Sequence, residues 1–218
     1  MFKYKIYYLL IFLICLFSIQ IVKADDFPLL GKVIYIDPGH GGVDPGAVYK
    51  EVFESNINLH ISFKLQEELE KKGAIVYLTR YGDYDLAANK AFLRKRSDLS
   101  RRANIINRSN CDIYISIHLN SDVSSIWKGA QVFYDNINEN NENIAKILQE
   151  ELKNNLNTNR SYKKLVNQYM YKRIKIPGIL IEVGFLSNDN ERYLLQTEEY
   201  QKKLAEVISN GIVKYFKG

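Results

Sequence analysis

Five short runs of β-branched and aromatic residues, separated by stretches of helical periodicity, set the strongest limit on how this chain can fold. Val33-Ile-Tyr-Ile36 lies between Gly31 and a Pro-Gly turn, as a buried strand would. From Ser55 to Lys72 the period changes: Ile57, Ile61, Leu65 and Leu69 recur every four residues, Glu67/Lys71 and Glu68/Lys72 pair at i,i+4, and Gly73 ends the run. Ala74-Ile-Val-Tyr-Leu-Thr79 reads as the next strand. After a polar loop, a helix is expected from Asp98 to Ser109 and a strand over Ile113-Tyr-Ile-Ser-Ile-His118. Gln131-Val-Phe-Tyr134 reads as a weaker strand, and Ile144, Ile147, Leu148 and Leu152 as the apolar face of an outer helix. Ile179-Leu-Ile-Glu-Val183 is the strongest late strand, and a helix from Thr197 to Phe216 closes the chain. Alternation of this kind, with no internal repeat and no low-complexity linker, predicts one α/β domain over residues 25–218. Its sheet is expected to be twisted and mostly parallel, with helices on both faces.

Residues 1–24 stand apart from that domain. Two lysines precede an apolar run from Ile6 to Val22, and Val22-Lys-Ala24 offers small residues where a signal is cut, so a signal peptide or short membrane anchor is expected. This implies export across the cytoplasmic membrane, with membrane contact only through residues 1–24. Of the 30 basic residues, Lys3, Lys5 and Lys23 lie in this segment, leaving 27 against 25 acidic ones, a balance of about +2. So small a surplus argues against nucleic acid as a partner, which wants a concentrated basic face. The cluster Leu93-Arg-Lys-Arg-Ser-Asp-Leu-Ser-Arg-Arg102 is read as a solvated loop and helix start. Outside residues 1–24 the chain holds a single cysteine, Cys111, which excludes a disulfide within residues 25–218 and a Cys-based zinc cluster there.

In an open α/β sheet, ligands bind beyond the carboxyl ends of the strands. Three of the apolar runs finish there in an ionisable group: the first in Asp37 and His40, the third in His118, the late one in Glu182. Glu54, at the start of the first helix, belongs to the same edge. Around His40, the stretch IDPGHGGVDPGA packs four of the chain's 12 glycines and two of its four prolines. Glycine there permits tight or positive-φ turns, and the missing side chains leave His40 room to face a shared site. Two imidazoles and a carboxylate form the ligand set of a catalytic zinc, with an open fourth position for water. Glu182, the remaining carboxylate, suits the proton carrier that such a site needs. Taken singly, each residue has a plainer reading: a hydrogen-bonded loop histidine, or a helix N-terminal acid for Glu54. A carboxylate inside Ile-Leu-Ile-Glu-Val is harder to dismiss, since its burial is costly without a partner or a task. His60 lies six residues beyond Glu54, a turn of about 600°, and is therefore expected to point away. The glycine-rich loop lacks the Lys-Ser/Thr pair of a P-loop, so phosphate binding is a weak reading.

With these residues assembled, the chain resembles the zinc-dependent N-acetylmuramoyl-L-alanine amidases of bacterial cell-wall metabolism, amidase type 3. The resemblance spans Lys32 to Phe216 and rests on IDPGHGGVDPGA, Glu54-Ser-Asn-Ile-Asn-Leu59, Leu78-Thr-Arg80, Leu99-Ser-Arg-Arg-Ala-Asn104, Ser116-Ile-His-Leu-Asn-Ser121 and Pro177-Gly-Ile-Leu-Ile-Glu-Val-Gly-Phe-Leu-Ser-Asn188. It implies a six-stranded mostly parallel sheet, Zn2+ on His40, Glu54 and His118, and Glu182 as catalytic acid/base. The implied reaction cuts the amide between the lactyl group of N-acetylmuramic acid and the first L-alanine of the peptidoglycan stem peptide. Asn120 and Arg101 are implied to position glycan or peptide. The stretch Phe92-Leu-Arg-Lys-Arg-Ser-Asp-Leu99 resembles the CwlD-like, germination-specific sporulation branch. That branch implies muramic-δ-lactam formation in spore cortex, a location in the cell wall or the intermembrane space of a forespore, and an activating partner protein of the sporulation machinery. Val48-Tyr49 and Gly178 depart from the usual pattern and bear on loop shape rather than on the metal set. The rival readings are a zinc peptidase acting on stem peptides, a non-catalytic peptidoglycan-binding protein, and a phosphate-ligand binder.

Overall fold

The computed structural model describes Tyr7 and Tyr8, residues 26–166 and residues 168–218. The expected signal or anchor over residues 1–24 lies, apart from those two tyrosines, outside the described residues. Among the described residues no helix is long and apolar enough to cross a membrane.

The first strand, β1 (Val33–Pro38), shows how the sheet divides its two faces. Ile34 and Ile36 are fully buried in the larger core, while Val33 and Tyr35 pack on the smaller core of the other face, the period-2 alternation of a strand covered on both sides. A two-stranded ribbon, β2 (Val48–Tyr49) with β3 (Val52–Phe53), leads directly into α1 (Glu54–Lys71). Next come β4 (Ile75–Leu78), α2 (Arg94–Arg108), β5 (Ile113–Asn120), β6 (Gln131–Tyr134) and α3 (Asn141–Asn155). The chain ends through β7 (Lys163–Lys164), a 3₁₀ turn (Tyr171–Arg173), β8 (Gly178–Phe185), α4 (Asp189–Leu195) and α5 (Glu198–Lys217).

Six strands form one sheet in the order β4-β1-β5-β8-β6-β7, and every neighbouring pair is parallel except β6 and β8. The mostly parallel α/β domain expected from the alternation is therefore present. Helices α1, α3 and α5 cover one face. Their apolar stripes, including Ile57, Ile61, Leu65 and Leu69 of α1 and Leu204 and Ile208 of α5, fill the main core. Each such side chain contributes about 1.5–3 kcal/mol by leaving water. On the other face α2 and the 3₁₀ turn build the smaller core from Ala103, Ile106, Tyr114, Met170, Tyr171, Ile174 and Leu180, beside the buried thiol of Cys111.

Several details differ from the sequence expectation. The strand pair β2/β3, the two-residue β7 and helix α4 carry too few residues for a periodicity to show. Helix α2 starts at Arg94, not Asp98, and the charged cluster is not wholly solvated: Asp98 and Arg102 turn inward and are almost completely buried. Strands β5 and β8 also run on past His118 and Glu182, to Asn120 and Phe185. Those two groups thus sit within strands, and the pairing slips just after His118, as expected where a ladder bends to re-aim a side chain.

Candidate active site

Strand register builds the first half of the site. His118 on β5 lies directly opposite Glu182 on β8, and Ser116 opposite Asp37 on β1. Because Ile115, Ile117, Ile181 and Val183 fill the main core, alternation sends Ser116, His118 and Glu182 to the opposite face, the side of α2. Glu54 arrives from the start of α1. That helix has no side-chain cap; instead the amides of Glu54 and Ser55 donate to the carbonyls of Ala47 and Pro45, so the incoming loop satisfies groups a helix start leaves open.

His40 arrives on the turn after β1 in a left-handed backbone conformation, φ 62°, which costs a non-glycine residue about 1–3 kcal/mol. Two neighbouring glycines explain why the loop tolerates nothing larger. A Cβ on Gly39 would lie 2.3 Å from the His118 ring, and one on Gly46 would lie 2.6 Å from Glu54 Oε2 and 2.7 Å from the His40 ring. The close packing of the two imidazoles and the carboxylate is thus possible only because these positions lack side chains.

His40 Nε2 lies 3.2 Å and His118 Nδ1 3.0 Å from Glu54 Oε1, and the three candidate ligand atoms all fall within 4.8 Å of one another. Around a tetrahedral zinc with ligands at 2.0–2.1 Å, neighbouring donors would stand about 3.3 Å apart, so the arrangement fits such an ion. The chemistry of the donors fits as well. His40 Nδ1 meets Asp44 Oδ2 at 3.1 Å, a carboxylate partner that fixes the proton on Nδ1 and leaves Nε2 free to bind metal. Asp44 is in turn 3.2 Å from Lys95 Nζ.

Electrostatics separates the two carboxylates. Burial alone would raise the Glu54 carboxyl, but hydrogen bonds from His118 and His40 hold it far below the ordinary range. Burial likewise opposes protonation of His40, yet Glu54 and Asp44 together raise it. Glu182 goes the other way: burial pushes it up to about 7, with the charge of Glu54 adding and the two histidines opposing. Its Oε2 is shielded from solvent and has no hydrogen-bond partner among the described residues. An unpaired carboxyl held near neutral pH, beside a ligand cluster, is suited to accept and return a proton. His40, His118 and Glu182 all line one cavity of about 430 Å³, whose wall also includes Asp44, Lys95 and Tyr171.

His40, Glu54, His118 and Glu182 therefore converge from four separate stretches. His60 is exposed on α1, away from them. Arg101 is also exposed, and it is its neighbour Arg102 that runs inward beneath the His40 turn. Asn120 is half-buried at the end of β5, its Oδ1 accepting from the Ser121 amide. Sequence reading passed over Asp44, Asn58, Arg80, Arg102 and Tyr171. Of these, all but Tyr171 lie inside motifs already quoted, and a buried arginine is visible in sequence only as a charge. Arg102 bonds Asp37 and Asp98 at 2.9 Å each, and these carboxylates raise its pKa against the pull of burial. Arg80, without a carboxylate in contact, is pushed down to about 10, by burial first and the charge of Arg102 second.

Residues 34–214 match the family model Amidase_3, described as N-acetylmuramoyl-L-alanine amidase. The chain is 44% identical over 215 residues to the germination-specific N-acetylmuramoyl-L-alanine amidase of Bacillus subtilis, covering 94% of this chain and 91% of that protein. Among solved structures, the CwlD amidase from Clostridioides difficile, in complex with the GerS lipoprotein, aligns with a TM-score of 0.82 at 40% identity, over 86% of this chain and 99% of that one. The catalytic domain of CwlV, an N-acetylmuramoyl-L-alanine amidase from Bacillus (Paenibacillus) polymyxa, aligns with a TM-score of 0.75 at 28% identity, over 85% and 98%. The chain thus belongs to the Amidase_3 family and is an N-acetylmuramoyl-L-alanine amidase.

Proposed function

We propose that His40, Glu54 and His118 hold a zinc ion and that Glu182 is the acid/base of amide hydrolysis between the lactyl group of N-acetylmuramic acid and L-alanine. Zinc, when bound at such a site, makes water acidic enough to ionise near neutral pH and polarises a carbonyl. The chain's own groups do the rest. Glu182 accepts the proton of the attacking water as its oxygen adds to the scissile carbonyl carbon. The same carboxyl then returns that proton to the departing nitrogen, the C–N bond breaks, and a free L-alanine amino group leaves. Asp44 keeps the His40 proton on Nδ1, so the ring presents one nitrogen to the metal throughout.

The observation that carries this reading is the unpartnered Oε2 of Glu182, opposite His118 in the register and in the same cavity as the ligand cluster. A protein that only bound peptidoglycan would gain nothing from burying such a carboxyl. Likeness to the germination-specific relative favours spore-cortex peptidoglycan as substrate, with muramic-δ-lactam as the eventual modification. Likeness to the CwlD amidase, solved with a lipoprotein, favours an activating partner at the exported face of the membrane. The test is zinc content and release of L-alanine amino termini from peptidoglycan. One zinc per chain, lost in His118→Ala together with amine release, is the expected result. Release of amines from within the stem peptide instead would make the enzyme a peptidase.

A further inference from the structure

The carbonyls of three consecutive residues, Pro38, Gly39 and His40, are each held by a buried side-chain donor. The Pro38 carbonyl accepts from Arg80 Nε at 3.0 Å and from Arg102 Nη1 at 2.8 Å. That of Gly39 accepts from Arg80 Nη2 at 2.9 Å and from Asn58 Nδ2 at 3.3 Å. That of His40 accepts from Arg102 Nη2 at 2.6 Å. Arg80, Arg102 and Asn58 are each almost wholly excluded from solvent. They come from the end of β4, from α2 and from α1, so three elements converge on three consecutive residues.

We propose that Arg80 and Arg102 act as a paired clamp that holds the His40 turn in its left-handed conformation and so preforms the metal site before any ion arrives. This rests on His40 being a metal ligand. Arg102 is braced from behind by Asp37 and Asp98, with Nε on Asp98 and Nη1 shared between Asp37 and the turn. Among the described residues no carboxylate braces Arg80: its hydrogen bonds go to backbone carbonyls, those of Pro38, Gly39, Ser55 and Gly82. A buried cation spent entirely on carbonyls is poorly explained by charge pairing and well explained by the need to fix a backbone. The bond to Ser55 also ties the start of α1, and with it Glu54, to the same guanidinium. One residue therefore sets the separation between two of the ligands. Lysine keeps the charge but lacks the planar fork that spans several acceptors at once.

Arg80→Lys and Arg102→Lys, in the full chain, are the test, with Asp98→Asn as a milder variant that touches Arg102 but not the turn. Zinc affinity is read by chelator competition, and the His40 imidazole by 15N NMR of histidine-labelled metal-free protein. The expected result is zinc affinity lowered about 10- to 100-fold, as for other residues that orient ligands, with the His40 resonance shifted or broadened and that of His60 unmoved. Ile208→Ala, in the main core on α5, is the control for lost stability, expected to lower the melting temperature and leave both readouts unchanged. Zinc affinity and His40 resonance unaltered in the arginine variants, or altered equally by Ile208→Ala, would overturn the clamp. Wild-type protein that binds no zinc while its His40 resonance still responds to Arg80→Lys would overturn the metal reading and leave the clamp standing.

Discussion

Glu54 and Glu182 are the same residue type in one site, and their surroundings drive them apart. Glu54 heads α1, where the helix dipole favours an anion, and its oxygens are crowded with donors. Oε1 faces both imidazoles and accepts from the Leu119 amide and Asn58 Nδ2, while Oε2 accepts from the Ala47 amide. Glu182 stands between Ile181 and Val183 in the middle of β8, with its inner oxygen facing no donor. The first carboxylate is kept ionised and the second is kept close to protonation. Carboxylates pushed in opposite directions are how one site obtains both a permanent negative ligand and a proton carrier.

An identical isosteric change at each position should break this contrast most sharply. Glu182→Gln is expected to keep zinc and fold while lowering kcat by about 10²–10⁴-fold, the range for a lost general acid/base. Retained turnover, measured as L-alanine amine release, would remove Glu182 from the mechanism. Glu54→Gln should instead act on metal and stability together. Its amide must point two hydrogens at groups that are themselves donors, the Ala47 or Leu119 amides. An unfolding free energy lower by about 1–3 kcal/mol in metal-free protein is therefore expected, with zinc binding weakened beyond the about 100-fold seen for outer-shell residues. Urea denaturation and chelator competition check the two halves separately. Should Glu54→Gln leave both unchanged, the dense bonding around Glu54 would be without consequence.

How far the sequence reveals such a site depends on the range of the interactions. The alternation of β-branched runs with four-residue repeats is local, and it pointed directly to β1, α1, β4, β5, β8 and α5. His40, His118 and Glu182 could be picked out because each interrupts or ends an apolar run, and Glu54 because it opens the first helix at the same edge of the sheet. The clamp beneath His40 could not. Arg102 sits in Arg94-Lys-Arg-Ser-Asp-Leu-Ser-Arg-Arg102 among four other basic residues, and only the docking of α2 on the sheet decides which of them turns inward. Arg101, one position earlier, has the same composition around it and faces solvent. Likewise the exact place of His118, two residues short of the end of β5, depends on pairing with β8, which lies about sixty residues away in sequence.

A titration sharpens the comparison further. Glu182 ordinarily titrates at 4.5, as it would in the unfolded chain, and at about 7 in the fold, where burial is the main cause. Between those values the folded state holds a proton that the unfolded state has released, so stability falls as pH rises through the window. Below pH 4.5 the group is neutral in both states and contributes nothing; above 7 the whole penalty is present, a few kcal/mol at most, by the order-of-magnitude value of about 1.4 kcal/mol per pKa unit. Glutamine has no such titration. Metal-free Glu182→Gln should therefore match wild type near pH 4.5 and exceed it at pH 8, with the gap opening between. His40, whose raised pKa also removes stability as pH rises, is common to both proteins, so the difference isolates Glu182 together with its coupling to the two histidines. Urea midpoints at five or six pH values suffice. A gap that is constant with pH would mean that Glu182 is solvated like a surface carboxylate, and its placement as the proton carrier would lose its physical basis.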